Sequence, residues 1–69
     1  NPGAPDFEFV SKLGWRAFFD TQEDLAKQVY VLFQTLEKEI KDKEPQLDYI
    51  DLRVKNRAYY KYKETNNGQ

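Results

Sequence analysis

Apolar and polar residues alternate at both ends of the chain and recur at helical spacing in its middle. The alternation covers residues 7–13 and 15–19 at one end, and residues 47–54 and 57–62 at the other. A period of two is typical of strands that bury one face. The pattern therefore predicts two strands, one helix and two further strands, in the order β-β-α-β-β.

The first two strands are predicted to form a hairpin over residues 7–19. One face of its first strand carries Phe7, Phe9 and Ser11, and the other carries Glu8, Val10 and Lys12. Leu13-Gly14 is a turn signal, so Gly14 is expected at the tip of the hairpin. Trp15 follows the turn at the start of the second strand, where we expect it in the core or at the rim of the core.

The middle of the chain predicts an amphipathic helix of about twenty residues. Asp20 or Thr21 is expected as the N-cap, with Glu23 or Asp24 at the third helical position, as in a capping box. Pro45 is expected to stop the helix. The predicted core-facing stripe consists of Leu25, Val29, Leu32, Leu36 and Ile40, widened by Ala26 and Phe33.

The last third of the chain predicts a second hairpin around a tight turn at Lys55-Asn56, because Asn tolerates the left-handed conformation that such turns need. The helix is expected to cover Ile50, Leu52 and Val54, and the other face carries Tyr49, Asp51 and Arg53. Asp51 and Arg53 lie two residues apart, so they are expected either to form an ion pair or to leave Arg53 bonded to a neighbouring carbonyl.

These elements predict an α+β fold with one amphipathic helix packed on a mostly antiparallel sheet. The strand order stays open, although the second and third strands would be parallel if they were neighbours. We expect residues 1–6 to be a flexible linker, residues 7–63 a single domain and residues 64–69 a disordered tail.

Composition argues against catalysis. The chain has 69 residues without Cys or His, and Ser11 is its only serine. Thiolate chemistry, zinc fingers and catalysis by Cys–His or Ser–His pairs are therefore excluded. The carboxylates lie on helix ends and exposed strand faces, where they are not expected to converge in a pocket. We predict no enzyme activity, no catalytic residue, no metal site and no cofactor.

The last third of the chain is more basic than the rest and rich in aromatic residues. Residues 1–46 carry six basic and nine acidic side chains, a net charge of −3, whereas residues 47–69 carry five basic and three acidic ones, a net charge of +2. Aromatic and basic residues also interleave in residues 57–63. A sheet face with stacking rings and flanking cations binds RNA in several domains. A small module for single-stranded nucleic acid is therefore one hypothesis.

Strand addition by a partner protein is the other hypothesis. A last strand at the sheet edge would offer unpaired backbone groups to a partner strand, with tyrosines as anchors. The predicted partner-binding residues are Arg57, Tyr59, Tyr60, Lys61 and Tyr62. Because adjacent residues of a strand point in opposite directions, one pair of tyrosines is expected on the helix side and the remaining ring in solvent. An alternative is an ordinary edge strand that Arg57, Lys61 and Lys63 protect from aggregation.

The phrase Tyr49-Ile50-Asp51-Leu52-Arg53 resembles the closing segment of the FtsQ/DivIB family of bacterial division proteins. In that family an amphipathic helix precedes a strand reading aromatic-aliphatic-Asp-Leu-Arg, and a short turn and a last strand follow. Gly14-Trp15 to Asp20 is similar to the strand before the family's helix. The resemblance covers residues 8 to 62.

The resemblance implies a non-catalytic divisome scaffold whose parent protein has one transmembrane helix, a POTRA domain and then an extracytoplasmic β domain. This chain would be the C-terminal part of that β domain, on the outer side of the cell membrane. The last strand would bind a partner similar to FtsB/DivIC, and a protein similar to FtsL is a further expected partner. Without the earlier strands one sheet edge would be bare, which invites self-association.

Overall fold

The computed structural model describes residues 7–64, so the linker predicted at 1–6 and residues 65–69 of the tail predicted at 64–69 lie outside the described residues. Within this range the chain forms four strands and one continuous helical stretch. The elements are β1 Phe7–Val10, β2 Arg16–Phe19, α1 Leu25–Thr35, a π-helical turn Leu36–Ile40, a 3-10 segment Lys41–Gln46, β3 Leu47–Asp51 and β4 Tyr59–Tyr62. The predicted β-β-α-β-β order and the α+β fold class are confirmed.

The strands lie in the order β1-β2-β3-β4. β1 and β2 are antiparallel, β3 and β4 are antiparallel, and β2 and β3 at the centre are parallel. Two parallel neighbours need a long crossover between them, and the helical stretch supplies it. β1 and β4 are therefore the outer strands of the sheet that residues 7–64 form.

The turn between β1 and β2 follows from two residues. Gly14 has a φ of 97°, a conformation that a side chain disfavours, and its N–H donates to the carbonyl of Ser11 at 3.0 Å. The Ser11 hydroxyl accepts the N–H groups of Leu13 and Trp15, each at 3.2 Å. These bonds turn the chain directly after Val10, which is why β1 ends earlier than the predicted strand over residues 7–13.

The helix begins later than predicted. Asp24 is the N-cap, and its Oδ1 accepts the N–H of Lys27 at 3.2 Å. Neither Asp20 nor Thr21 has this role, because Asp20 closes its own turn: its Oδ1 accepts the N–H of Gln22 at 2.9 Å and its carbonyl accepts that of Glu23 at 3.2 Å. The sequence predicts Glu23 or Asp24 at the third helical position, but both precede the first residue of α1, and Asp24 is the cap instead.

The buried face of α1 is rotated from the predicted stripe. Leu25, Val29 and Phe33 are exposed, and so is Ala26. Leu32 of the predicted stripe is buried as expected, and Gln28 and Thr35 are buried in place of the exposed residues. Two polar side chains can face the core because both are satisfied there. The Gln28 amide binds Asp20 N–H and carbonyl at 2.9 and 2.8 Å, and the Thr35 hydroxyl donates to the Val31 carbonyl at 2.8 Å.

The α- and π-helical part of this stretch ends at Ile40, before the stop predicted at Pro45. The N–H of Lys41 donates to the carbonyl of Leu36, five residues back, and Lys41 then takes a φ of 56°. The wider turn places Ile40 about one turn after Thr35. Ile40 therefore reaches the core and is fully buried, as its place in the predicted stripe requires. Pro45 lies inside the following 3-10 segment.

The core lies between the helical stretch and one face of the sheet. Its buried members are Trp15, Ala17, Phe19, Leu32, Ile40, Leu47, Ile50 and Leu52. Trp15 is 3% exposed, which confirms the expected core position, and its indole N–H donates to Glu44 Oε2 at 2.9 Å. Val54, expected beside Leu52, lies beyond β3 and is exposed.

Candidate functional site

The turn before β4 is close to the predicted one. Asn56 has a φ of 62°, and the Arg57 N–H donates to the Val54 carbonyl at 3.1 Å. The four-residue turn therefore has Lys55 and Asn56 at its centre, as the sequence predicts. The last strand, however, begins at Tyr59, so Arg57 belongs to the turn and not to the strand.

The backbone of β4 alternates between its neighbour and the outer edge. The Lys63 N–H donates to the Gln46 carbonyl at 2.7 Å, so Lys63 turns its backbone groups toward β3. Two and four residues earlier, Lys61 and Tyr59 do the same, because backbone groups of an antiparallel strand alternate in direction. Tyr60 and Tyr62 therefore point their N–H and C=O groups outward, where residues 7–64 offer no further strand.

The side chains of Tyr60 and Tyr62 lie on the helix side of β4. Both are half-buried against the core, with ring centroids 5.7 Å apart. The Tyr60 hydroxyl donates to Glu39 Oε1 at 3.0 Å, and this bond to a carboxylate raises the pKa of Tyr60 above its usual value near 10. The Lys43 ammonium lies 5.9 Å from the centre of the Tyr62 ring.

The remaining β4 side chains lie on the opposite, open face of the sheet. Tyr59 is 52% exposed, and Lys61 is exposed with its ammonium 3.9 Å from Glu64 Oε2. The expected division of the three rings, with one pair on the helix side and one in solvent, is confirmed. Every predicted partner-binding side chain is consequently at least partly accessible along one edge.

The family motif divides between the two faces of β3. Ile50 and Leu52 are buried in the core, whereas Tyr49 and Asp51 lie on the open face. Asp51 and Arg53 form the predicted pair: Arg53 Nε donates to Oδ1 at 2.9 Å and Nη2 to Oδ2 at 2.8 Å.

The Asp51 carboxylate also accepts the backbone N–H of Arg53 at 3.0 Å. The side-chain bonds from Arg53 hold the pKa of Asp51 below its usual value, although burial opposes them. A carboxylate that accepts the backbone N–H two residues ahead closes a turn. The pair thus directs the chain out of β3 toward the turn that leads to β4.

Rings and charges cover the rest of the open face. The Phe18 and Tyr49 rings are 5.7 Å apart, and the Arg53 guanidinium lies 5.6 Å from the Phe18 ring. Arg16 forms an ion pair with Glu8 on the same face. Lys61, opposite Tyr49 in the sheet, is a third cation beside these rings. Each of the three has an acidic neighbour, which lowers the attraction of this face for a phosphate backbone.

Sequence reasoning missed an apolar groove between β1 and α1. Phe7, Phe9 and Phe33 are 52, 44 and 61% exposed, although Phe33 is predicted in the core-facing stripe of the helix. The groove has a volume of about 560 Å³ and extends to Trp15. The rotation of α1 opens it, because Gln28 takes the buried position and carries Val29 and Phe33 outward. No signal in the pattern could have revealed that rotation.

Residues 7–64 contain no group of three or more acidic side chains arranged to hold a metal ion. In the same range no helix is long and apolar enough to cross a membrane. Comparisons with protein-family models, curated proteins and solved structures find no match to this chain.

Proposed function

We propose that this chain is a non-catalytic protein-interaction module that binds a partner by strand addition at the outer edge of β4. The observation that carries the proposal is the pair of outward-facing backbones at Tyr60 and Tyr62, each next to a half-buried ring. A partner strand could take up both N–H and both C=O groups, and each bond would contribute about 0.5–1.5 kcal/mol.

The side chains around this edge indicate the chemistry of the partner strand. On the helix side the Tyr60 and Tyr62 rings offer an apolar surface, so the partner should place an apolar residue there. On the open face Lys61 lies beside Tyr59, and Arg57 precedes them. An acidic partner residue would fit this side, because opposite charges on neighbouring strands attract.

The basic residues also explain why this edge would choose a partner over a copy of itself. Two β4 strands paired together would bring Lys61 and Lys63 of both copies into one ladder, where like charges repel. Edge protection and partner binding are therefore compatible roles for the same lysines.

The biological setting that we propose is a division scaffold of the FtsQ/DivIB type, on the extracytoplasmic side of the membrane. Its support is the resemblance at Tyr49-Ile50-Asp51-Leu52-Arg53 and the order of helix, motif strand, turn and last strand. The partner would then be similar to FtsB/DivIC, with an FtsL-like protein in the same assembly.

Amide hydrogen exchange with a peptide from the FtsB/DivIC-like protein of the same genome tests this function. Strand addition predicts slower exchange at Tyr60 and Tyr62, whose amides point outward, and little change at Tyr59 and Lys61, whose amides already face β3. N-methylation of those peptide residues whose amides meet β4 should abolish binding, and methylation at the alternating positions should not. Uniform protection, or none, would contradict the proposal.

A second function, binding of single-stranded nucleic acid, is favoured by the adjacent Phe18 and Tyr49 rings on the open face. Tyr60 and Tyr62 cannot contribute to it, since they lie on the helix side. Titration with oligouridine would then shift the resonances of Phe18, Tyr49 and Tyr59, and affinity would fall steeply with salt. Shifts confined to Tyr60 and Tyr62 on addition of the peptide would favour strand addition.

A further inference from the structure

β1 at the other edge of the sheet has none of the protection that β4 has. Its exposed apolar residues are Phe7, Phe9 and Val10, and it contains no Lys, Arg or Pro. Its single charge, Glu8, is already paired with Arg16 of β2. A largely apolar edge strand whose one charge is already paired is a template for pairing with another chain.

The backbone groups at this edge can be assigned. The Ser11 N–H donates to the Trp15 carbonyl at 2.9 Å, and this pair continues the β1–β2 register. Phe9 and Phe7, two and four residues earlier, therefore face β2 as well. Glu8 and Val10 turn their N–H and C=O groups outward, and no strand of the described residues meets them.

We propose that two copies of this chain pair through β1, antiparallel across a two-fold axis, with Phe9 opposite Phe9 and Glu8 opposite Val10. Residues paired in this way share a face, so the helix sides of both copies stay together. The register joins all the outward groups of Glu8 and Val10. A shift of two residues in one direction would set Glu8 opposite Glu8, and like charges directly opposite destabilise a sheet. A shift in the other direction would set Glu8 opposite Lys12, which lies beyond the end of β1.

The groove between β1 and α1 adds apolar surface on the same side of the sheet. Phe9 and Phe33 line it, and Phe9 would meet its counterpart on the axis. Phe7, Phe9 and Phe33 are each about half exposed. Rings of roughly 150–250 Å² each would then bury about 300 Å² per copy. Stable interfaces bury about 800 Å² per partner, so we expect a dissociation constant in the micromolar range.

This inference concerns β1 and does not depend on partner binding at β4, so either can fail without the other. Sedimentation equilibrium of the full chain from about 5 to 500 μM should show a reversible monomer–dimer equilibrium. Val10→Pro removes an outward N–H that the monomer does not use, and edge strands tolerate Pro. It should weaken the dimer at least tenfold and leave the circular dichroism unchanged.

A monomer at every concentration would overturn the proposal, as would assembly beyond the dimer, because the two-fold pairing closes. A dimer that Val10→Pro leaves intact would show that a different surface pairs.

Disulfide trapping tests the register, since the chain has no Cys of its own. In this register the two Cα atoms of position 9 lie about 4.5 Å apart, within disulfide range. Phe9→Cys should therefore cross-link in air. Phe7→Cys is the matched control, because its two copies would lie about 14 Å apart. Equal cross-linking at both positions, or none at position 9, would contradict the register.

Discussion

The two outer strands of this sheet have the same length, and each is antiparallel to its neighbour, but they differ in side-chain chemistry. β4 surrounds its outward backbone with Lys61, Lys63 and three tyrosines, two of them anchored on the core. β1 surrounds its outward backbone with phenylalanine and valine. The unpaired backbone of an outer strand allows either edge to bind another strand. The charge of the surrounding side chains determines which partner it binds.

The anchoring of the rings also differs between the two edges. Tyr60 is fixed by its hydrogen bond to Glu39 and by its contact with Tyr62. Phe7 and Phe9 contact Phe19 and Trp15 with centroids 5.6 and 5.9 Å apart, yet they stay about half exposed. β4 thus presents preorganised anchors for a partner, while β1 presents apolar surface that the domain leaves uncovered.

The largest effect is expected from a substitution in the hydrophobic core, on which both edge strands depend. Ile50 of β3 is fully buried at the centre of the core, so Ile50→Ala should lower the free energy of unfolding by about 2–5 kcal/mol. Both edges should weaken together, which urea unfolding and hydrogen exchange would measure. Val54→Ala is the matched control and should cost under about 0.5 kcal/mol, because Val54 is exposed. Loss at one edge alone would contradict a common core.

A substitution at the β1–β2 turn should destabilise the β1 edge and leave the β4 edge unchanged. Gly14 has a positive φ, so Gly14→Ala should cost about 1–2 kcal/mol through backbone strain, although nothing crowds a Cβ there. Exchange of the β1 amides should become faster, and exchange at Tyr60 and Tyr62 should not change. Leu13→Ala controls for the loss of a neighbouring side chain. An equal increase in amide exchange in β4 would show that the two hairpins open together.

Removing a charge from β4 should allow this edge to self-associate, as we propose for β1. Lys61→Val takes away a like-charge barrier on the open face, and we expect self-association to strengthen about tenfold, or about 1.4 kcal/mol. Sedimentation equilibrium would measure it, in a Val10→Pro background so that β1 does not contribute. Lys61→Arg keeps the charge and should stay monomeric there. Self-association of the arginine variant would show that the charge is not the barrier.

The smallest effect concerns pH and reaches only the β4 side. The pKa of Asp51 is lowered in the folded state, so its stabilising contribution is present above the unfolded value near 3.8 and disappears as the pH falls through the lowered value. Because the pair with Arg53 is partly exposed, we expect at most about 1 kcal/mol. In Asp51→Asn the free energy of unfolding, measured with urea, should fall less steeply as the pH is lowered from 6 to 2. An unchanged pH dependence would contradict this role.

Local signals were sufficient for most of the fold. Alternation predicts all four strands, and Gly14 and Asn56 mark the turns of the two hairpins. The Asp51–Arg53 pair was one of two expected outcomes and is the one observed. Strand ends were less predictable. Ser11 and Asp51 close turns with their side chains, and a hydrophobic pattern does not record side-chain hydrogen bonds of this kind.

The candidate site at β4 was predictable in part. The alternation of Tyr59 and Tyr60 determines that they lie on opposite faces, whichever face the helix covers. The sequence could not show that β4 is an outer strand, because strand order depends on which strands pair across the whole chain. The groove at β1 was hidden for the same reason: Phe33 fits an apolar stripe equally well whether or not the sheet covers it.

By itself the sequence determined the element types, the two turns and the chemistry that each strand can present, since these depend on residues a few positions apart. Only the tertiary structure decided the strand order, the rotation of α1 and the side of the sheet that stays open. The strand order depends on pairing between residues far apart in the sequence, such as that of β2 with β3. The buried face of α1 goes with the hydrogen bonds between the Gln28 amide and the backbone of Asp20. Gln28 can occupy a core position because the Asp20 backbone satisfies its amide, and a buried polar group without hydrogen bonds would be costly.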